Sequence, residues 1–299
     1  MRPNGKKRST AAAKGRLTMS ACAALVGLAA AASAQSARPL SIVTNENPAE
    51  PGAFTLSFGD LGLNAVGNIS TTNYELSVDP ARGTAHFVSY LQHVQPLALP
   101  GGISTGDITV EIVDGSSTGS FDPLTRTFTT TEMYAVHFAG DLSAFGLTSP
   151  VLLPSSSTGE LAVDPVAGGQ VTMDWNGSGE LSNPFDPLHP LSFTYHCAVN
   201  TLFSATAANV VGLDLTPEVL SLQLPRGIER RLVAKLDQSL AQIQRGNGPR
   251  AVHSLRVFID QVDRLSGRVI EEADAANLIT VALETIDLIG LGGAPGGMH

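Results

Sequence analysis

The chain has 299 residues, with 27 acidic side chains against 18 basic ones and a formal net charge of −9. That balance argues against nucleic acid or an anionic membrane as partner, because phosphate recognition runs on clustered Lys and Arg. Two cysteines, one of them in the first 34 residues, leave Cys197 alone afterwards and exclude an intramolecular disulfide framework.

The first 34 residues read as an export signal. Arg2, Lys6, Lys7, Arg8, Lys14 and Arg16 form a positive n-region, Leu17 to Ala31 is small and apolar, and Ala32-Ser33-Ala34 is an A-x-A cleavage site before Gln35. The apolar run is shorter than the roughly 20 residues a membrane span needs, so a cleaved signal is expected rather than a transmembrane anchor. All 27 acids lie after residue 34 but only 12 of the bases do, which gives the remainder −15. The imbalance is local: residues 35–215 hold 17 acids, Arg38, Arg82, Arg126 and no lysine, while residues 216–299 hold 10 acids and 9 bases. Two domains with different surfaces are expected.

From Ala53 to about Leu215 the hydrophobic period is two. Phe54–Phe58, Tyr74–Val78, Ile108–Val113 and Tyr134–Phe138 alternate apolar with polar or small residues, separated by Gly, Pro, Ser and Asn clusters. Asp-Pro recurs at Asp79, Asp122, Asp164 and Asp186, each time ahead of a new alternating run. Proline pre-sets φ for a type I turn and the aspartate can bond the turn's own backbone, so each copy predicts strand, turn, strand. An all-β sandwich or barrel follows. In Phe193-Thr194-Tyr195-His196-Cys197, the cysteine shares a strand face with Tyr195 and Phe193 and is expected in the core.

Patterns that could carry chemistry are few. Gly115-Ser116-Ser117-Thr118-Gly119 fits the letters of a nucleophile elbow, but it leads into another strand where an elbow needs a helix. His86 and His93, like His189 and His196, are an odd number of residues apart, so strand geometry separates each pair unless a bulge or turn intervenes. His137 sits opposite the Tyr134, Val136, Phe138 face and is expected toward solvent. No zinc, P-loop, dinucleotide or calcium-loop motif occurs. No catalytic, cofactor-binding or metal residue is therefore assigned, and no cofactor is expected.

After Leu215 the period becomes helical. Thr216 and Pro217 predict a short helix within a linker at 216–226. Three amphipathic helices follow at about 227–244, 249–265 and 271–289. Their inward faces are Ile228, Leu232, Leu236, Leu240, Ile243, then Val252, Leu255, Phe258, Ile259, Val262, then Ala275, Ile279, Ala282, Leu283, Ile286. Short connections make a three-helix bundle at 227–299.

Lys235-Leu236, Gly246-Asn247, Phe258-Ile259-Asp260-Gln261-Val262, Gly267-Arg268-Val269-Ile270 and Ala273-x-x-Ala276-Asn277-Leu278-Ile279 resemble the FIMAH domain, a helical module near the C-termini of secreted bacterial proteins. The resemblance covers about residues 220–290. It implies a bacterial extracellular or cell-surface setting with a non-catalytic accessory role, and it transfers no active-site residue; the periplasm is a further destination that export alone allows. The expected protein is exported and two-domain, an acidic β-domain at 35–215 followed by the helical domain. Its expected role is binding or structural, with a cell-surface polymer or protein as partner. One alternative is a secreted hydrolase whose site draws on Ser117, Asp122, Asp186, His189 and His196. A second is a barrel that holds an apolar small ligand.

Overall fold

The alternation read in the sequence becomes ten antiparallel strands in one sheet, followed by helices, in a computed structural model. Residues 38–292 are described, apart from 60–61, 144–145, 183–185 and 187. The expected signal at 1–34, and Phe185 and Pro187 of the fourth Asp-Pro turn, lie outside the described residues.

The strands are β1 (Leu40–Glu46), β2 (Ala53–Phe58), β3 (Leu63–Asp79), β4 (Thr84–Val94), β5 (Ile108–Ile112), β6 (Thr118–Asp122), β7 (Thr127–Phe138), β8 (Val151–Asp164), β9 (Gly168–Leu181) and β10 (Leu191–Phe203). Pairing follows chain order from β7 through β8 and β9 to β10, and from β3 to β4. Two positions in the ladder are each filled by two short strands. β5 and β6 both lie between β4 and β7, while β1 and β2 both lie between β10 and β3. The ladder thus returns to the strand it began with.

Three of the Asp-Pro turns sit at one end of the sheet, between β3 and β4, β6 and β7, and β8 and β9. Asp79 Oδ1 accepts the N–H groups of Ala81 and Arg82 at 3.1 Å, Asp122 Oδ1 that of Leu124 at 2.9 Å, and Asp164 Oδ1 those of Val166 and Ala167 at 2.7 and 2.6 Å. Asp186, at the opposite end, accepts from Leu188 at 3.2 Å. The residue that closes each of the first three turns is left-handed: Gly83 (φ 64°), Arg126 (φ 58°) and Gly168 (φ 95°). Two are glycine, for which this conformation carries no Cβ penalty; Arg126 accepts one of about 1–2 kcal/mol. The backbone N–H bonds hold the Asp122 and Asp164 carboxyls below their ordinary range. Their contribution to stability is present above the unfolded-state pKa and lost as the pH falls through the folded one. Asp79 is also buried and ion-paired with Arg82 at 2.8 Å, so Asp79→Ala is expected to cost about 1–2 kcal/mol, measured by urea unfolding.

Register is set by aromatic rings lying over glycines on the next strand. Phe128 faces Gly159, Tyr195 faces Gly177, Phe193 faces Gly179 and Phe203 faces Gly169. A Cβ built on Gly169 would fall 2.0 Å from the Phe203 ring, and one on Gly177 2.1 Å from the Tyr195 hydroxyl. Only hydrogen leaves room for the ring, so slipping either strand by one residue would both clash and expose an aromatic. The buried face of the sheet is filled accordingly. Trp175 packs 4.9 Å from Tyr134 and 5.7 Å from both Phe54 and Tyr195, and its Nε1–H donates to Tyr90 Oη at 3.0 Å. Cys197 is fully buried on this face beside Tyr195 and Phe193, as the alternation predicts.

The helical region opens earlier than Thr216. Thr206 caps a run, α1, that begins at Ala207 through a reciprocal pair with Asn209, passes through a π-turn at Val211–Leu215, and continues over Thr216–Ser221. Pro217 has no N–H to give, and Thr216 Oγ1 donates to the Val211 carbonyl at 2.8 Å inside the widened turn. Helices α2 (Arg226–Ile243), α3 (Gly248–Leu265) and α4 (Glu272–Gly292) follow. In α2 and α3 the expected faces are inward at Leu232, Leu236, Leu240, Leu255, Phe258 and Val262, which are buried, whereas Val252 is only half-buried and Ala251 and Ser254 are buried beside it. In α4 one residue is corrected: Leu283 is 50% exposed, and the buried seam is Ala275, Leu278, Ala282 and Thr285. A spacing of three, four and three follows the 3.6-residue turn and carries the seam past position 283.

The helices meet the sheet at the end that carries the three Asp-Pro turns. Leu40 of β1 lies against Gly212, where a Cβ would be 2.6 Å from its Cδ1. Arg126 pairs with Asp214 at 2.9 Å, and Gln244 exchanges two bonds with the backbone of Arg38 at 2.7 and 2.8 Å. The described residues, from 38 to 292, form one compact unit.

Candidate functional site

The residues least implausible as a hydrolase site are placed by different elements for different local reasons. Ser117 is buried between β5 and β6, and its Oγ accepts the Phe87 N–H at 2.9 Å, which pins β4 to the hairpin. Asp122 opens a turn at the helical end of the sheet. Asp186 and His189 pair with each other at 2.8 Å in an exposed turn at the other end. His196 faces out of β10 and pairs with Asp174 of β9 at 3.0 Å. His189 lies outside the strand, so the spacing rule does not apply to it. His86 and His93 do share the outer face of β4, because Val88 is an extra residue opposite β3 and shifts the alternation between them. His93 Nδ1 bonds Thr109 Oγ1 at 3.2 Å, and His137 lies 3.9 Å from Glu111 on the outer face. Among the described residues no group of three or more His, Cys, Asp or Glu is arranged to hold a metal ion.

Cys197 is chemically quiet. Burial drives its thiol up to about 12, and Gln92 Nε2–H donates to Sγ at 3.4 Å. A thiolate nucleophile needs the opposite environment, a cationic neighbour that lowers the pKa.

Two features of the buried face were not singled out in the sequence. The first is a polar patch along β7. Thr130, Glu132 and Tyr134 occupy alternate positions facing inward, and Ser157 of β8 donates to Glu132 Oε1. Glu132 Oε2, Thr130 Oγ1 and Tyr134 Oη lie fully buried without a partner of hydrogen-bonding geometry. Burial raises the Glu132 carboxyl above its ordinary range. A raised acid holds its proton more tightly in the folded state. Its ionisation costs stability above the folded pKa, and the cost is relieved as the pH falls from there toward the unfolded value of about 4.3. Glu132→Gln, which keeps the shape and removes the charge, is expected to raise the melting temperature at pH 8 and leave it nearly unchanged near pH 4. Equal shifts at both values would place the carboxylate in a solvated position instead.

The second feature is an apolar cavity of about 50 Å³ at the sheet end away from the helices. Phe54 and Leu56 of β2 and Phe193 and Tyr195 of β10 form one side. Leu97 and Leu99 from the β4–β5 loop, and Leu142 and Leu147 from the β7–β8 loop, cover the other. The one hydroxyl of a Ser or Thr in the lining, on Thr105, is spent twice: Oγ1 accepts the Leu97 N–H at 2.8 Å and donates to the Gly106 carbonyl at 2.8 Å. Leucines inside loops rich in Gly, Pro and Ser were the available signal, since a solvated loop has no need of them.

No protein-family model matches this chain, and no curated protein matches it. Among the described residues, no helix is long and apolar enough to cross a membrane.

Proposed function

We propose that this chain is an exported, non-catalytic binding or structural protein of the bacterial cell surface or extracellular space, built on a closed β-barrel with a helical module at one end. The observation that carries the reading is the filled interior. Trp175, Tyr134, Tyr195, Phe58 and Phe128 are fully buried where an enzyme cleft would need access, while Asp122, Asp186, His189 and His196 are dispersed over both ends and the outer wall and Ser117 is buried on the Phe87 amide. The barrel is favoured over a sandwich by pairing alone: eight ladder positions, counting β1 with β2 and β5 with β6 as one each, follow one another around and join. Eight strands enclose just the width that side chains fill. The resemblance of α2 to α4 to the FIMAH module supports the extracellular setting, and the Lys-free acidic wall suits a solvated surface more than an anionic partner.

The test is expression in a bacterial host, followed by fractionation and mass spectrometry. A mature N-terminus at Gln35 in the medium, surface or periplasmic fraction is expected; an unprocessed cytoplasmic chain would overturn the export. Co-sedimentation with purified cell-envelope polymer then separates the roles. Retention with no soluble product fits binding, whereas released fragments point to the hydrolase. A second reading, a barrel that takes an apolar small ligand, is favoured by the apolar cavity at the end opposite the helices.

A further inference from the structure

The cavity is larger than the roughly 10–15 Å³ that one water occupies and smaller than the ~150 Å³ site that takes benzene. Its side wall carries a second observation. β9 stands between β8 and β10, yet it is β8, through Val151 and Leu153, and β10, through Phe193 and Tyr195, that reach the lining. The inward positions of β9 at this level are Gly177 and Gly179, and the Tyr195 and Phe193 rings fill the space their side chains would take. The ladder also stops here. β8 and β9 are joined from Asp164 and Gly168 as far as Ser156 and Asn176, which leaves 151–155 and 177–181 without a rung between them. Pro154 lies in that stretch and has no amide hydrogen to give one. A side chain spans the seam instead: Tyr195 Oη reaches over Gly177, donates to the Pro154 carbonyl at 2.5 Å and accepts from Ser155 Oγ at 3.0 Å. Ser178, Gly179 and Glu180 of the parted stretch also line an open groove with Ser57, Ser192 and Thr194.

We infer that the cavity holds the end of an unbranched alkyl chain, that the chain enters through the seam between β8 and β9, and that the Tyr195 hydroxyl latches this entry. This rests on the reading of the cavity as a ligand site. A chain end fits a space too small for a ring, and the polar end of the same molecule stays outside, in the hydroxyl-lined groove. Removing the latch lowers the barrier to opening from either side, so entry and exit quicken together and affinity changes little.

Trp175 is the only tryptophan in the chain and touches Phe54 and Tyr195, both in the lining, so its emission reports on the cavity. The full chain is titrated with octanol and with cyclooctanol, which has the same number of carbons closed into a ring, and the rates are followed by stopped flow. A saturable change with octanol is expected, with cyclooctanol weaker by about tenfold or more. Tyr195→Phe keeps the ring and removes the hydroxyl; it should raise association and dissociation rates each by about three- to tenfold and hold their ratio within about twofold. Unchanged rates in that variant would overturn the seam as the entry. Should it not fold, Ser155→Ala, which removes the other hydroxyl of the latch, carries the same test with the same direction expected. Equal binding of the two alcohols would overturn the unbranched chain and leave the apolar site standing; no response to either would overturn the cavity as a ligand site. Val151→Phe is expected to block the response, with Leu56→Phe as a second blocking variant if the first does not fold. Undiminished binding in a folded blocking variant would overturn the placement of the site in this cavity.

Discussion

Phe258→Ala should unfold residues 226–292, or leave them molten, while the sheet keeps its own transition. Phe258 is fully buried at the centre of α3, the helix that packs against both α2 and α4, and it is the only aromatic residue after Phe203. Around it stand Leu, Val, Ile and Ala, none of which can close the space a ring leaves. Truncation of a buried Phe costs about 3–5 kcal/mol, comparable to the whole stability of a small domain. Contact between helices and sheet runs chiefly through α1, which lies against β1 and β8. Calorimetry of the full chain is therefore expected to show a lost or lowered helical transition and an unaltered one for the sheet. A single transition moving as a whole would mean that α1 transmits the loss into the sheet and that the two regions are one cooperative unit.

The second large effect is expected at Trp175. It is completely buried, packs on Phe54, Tyr134 and Tyr195, and supplies the N–H that Tyr90 accepts. Trp175→Ala removes the largest side chain of the interior and leaves the buried Tyr90 hydroxyl without that donor. The two losses together are expected to cost at least about 4 kcal/mol, combining the 3–5 kcal/mol of ring truncation with the penalty of an abandoned polar group. Far-UV circular dichroism against urea measures it. A change below about 1 kcal/mol would mean that the interior tolerates a large void, and would favour a ligand-filled interior over a packed one.

Much of this was legible because the governing signals are local. Period two gave the strands, an aspartate before a proline gave the turns, and all four aspartates bond the backbone of their own turns. Phe258 and its neighbours declared themselves by spacings of three and four. Closure of the ladder was not legible, since it depends on β10 finding β1 and β2 across most of the chain, and no residue near either encodes that alone. The start of α1 was hidden for a different reason. Ala-Ala-Asn-Val-Val-Gly-Leu has low helix propensity and continues the small apolar texture of the strands, and the Thr206–Asn209 cap that fixes it is not an Asp or Glu pattern. Leu283 was misplaced by continuing an i, i+4 step where the helix takes i, i+3. Glu132 was open to discovery: with Tyr134 and Val136 inward, the same parity puts a carboxylate inside, and the three consecutive threonines before it disguise the strand face. The apolar cavity draws on loops whose partners are distant in sequence, so its leucines could be noticed but not assembled.

A ladder that joins its own first strand has no outer strand. In open sheets the last strand carries a row of unpaired amides that another chain can adopt, and natural proteins guard it with lysines, prolines or bulges. This wall contains no lysine between residues 35 and 215, yet every strand has a paired neighbour on each side over part of its length. Protection from fibril growth is thus supplied by topology and leaves the outward side chains unconstrained by that task. Places where a foreign strand could gain a foothold are the interruptions Asn47–Gly52 between β1 and β2 and Val113–Ser117 between β5 and β6, and the stretch where β8 and β9 part, 151–155 against 177–181. Pro48 and Pro51 stand in the first, two residues without an amide hydrogen to offer.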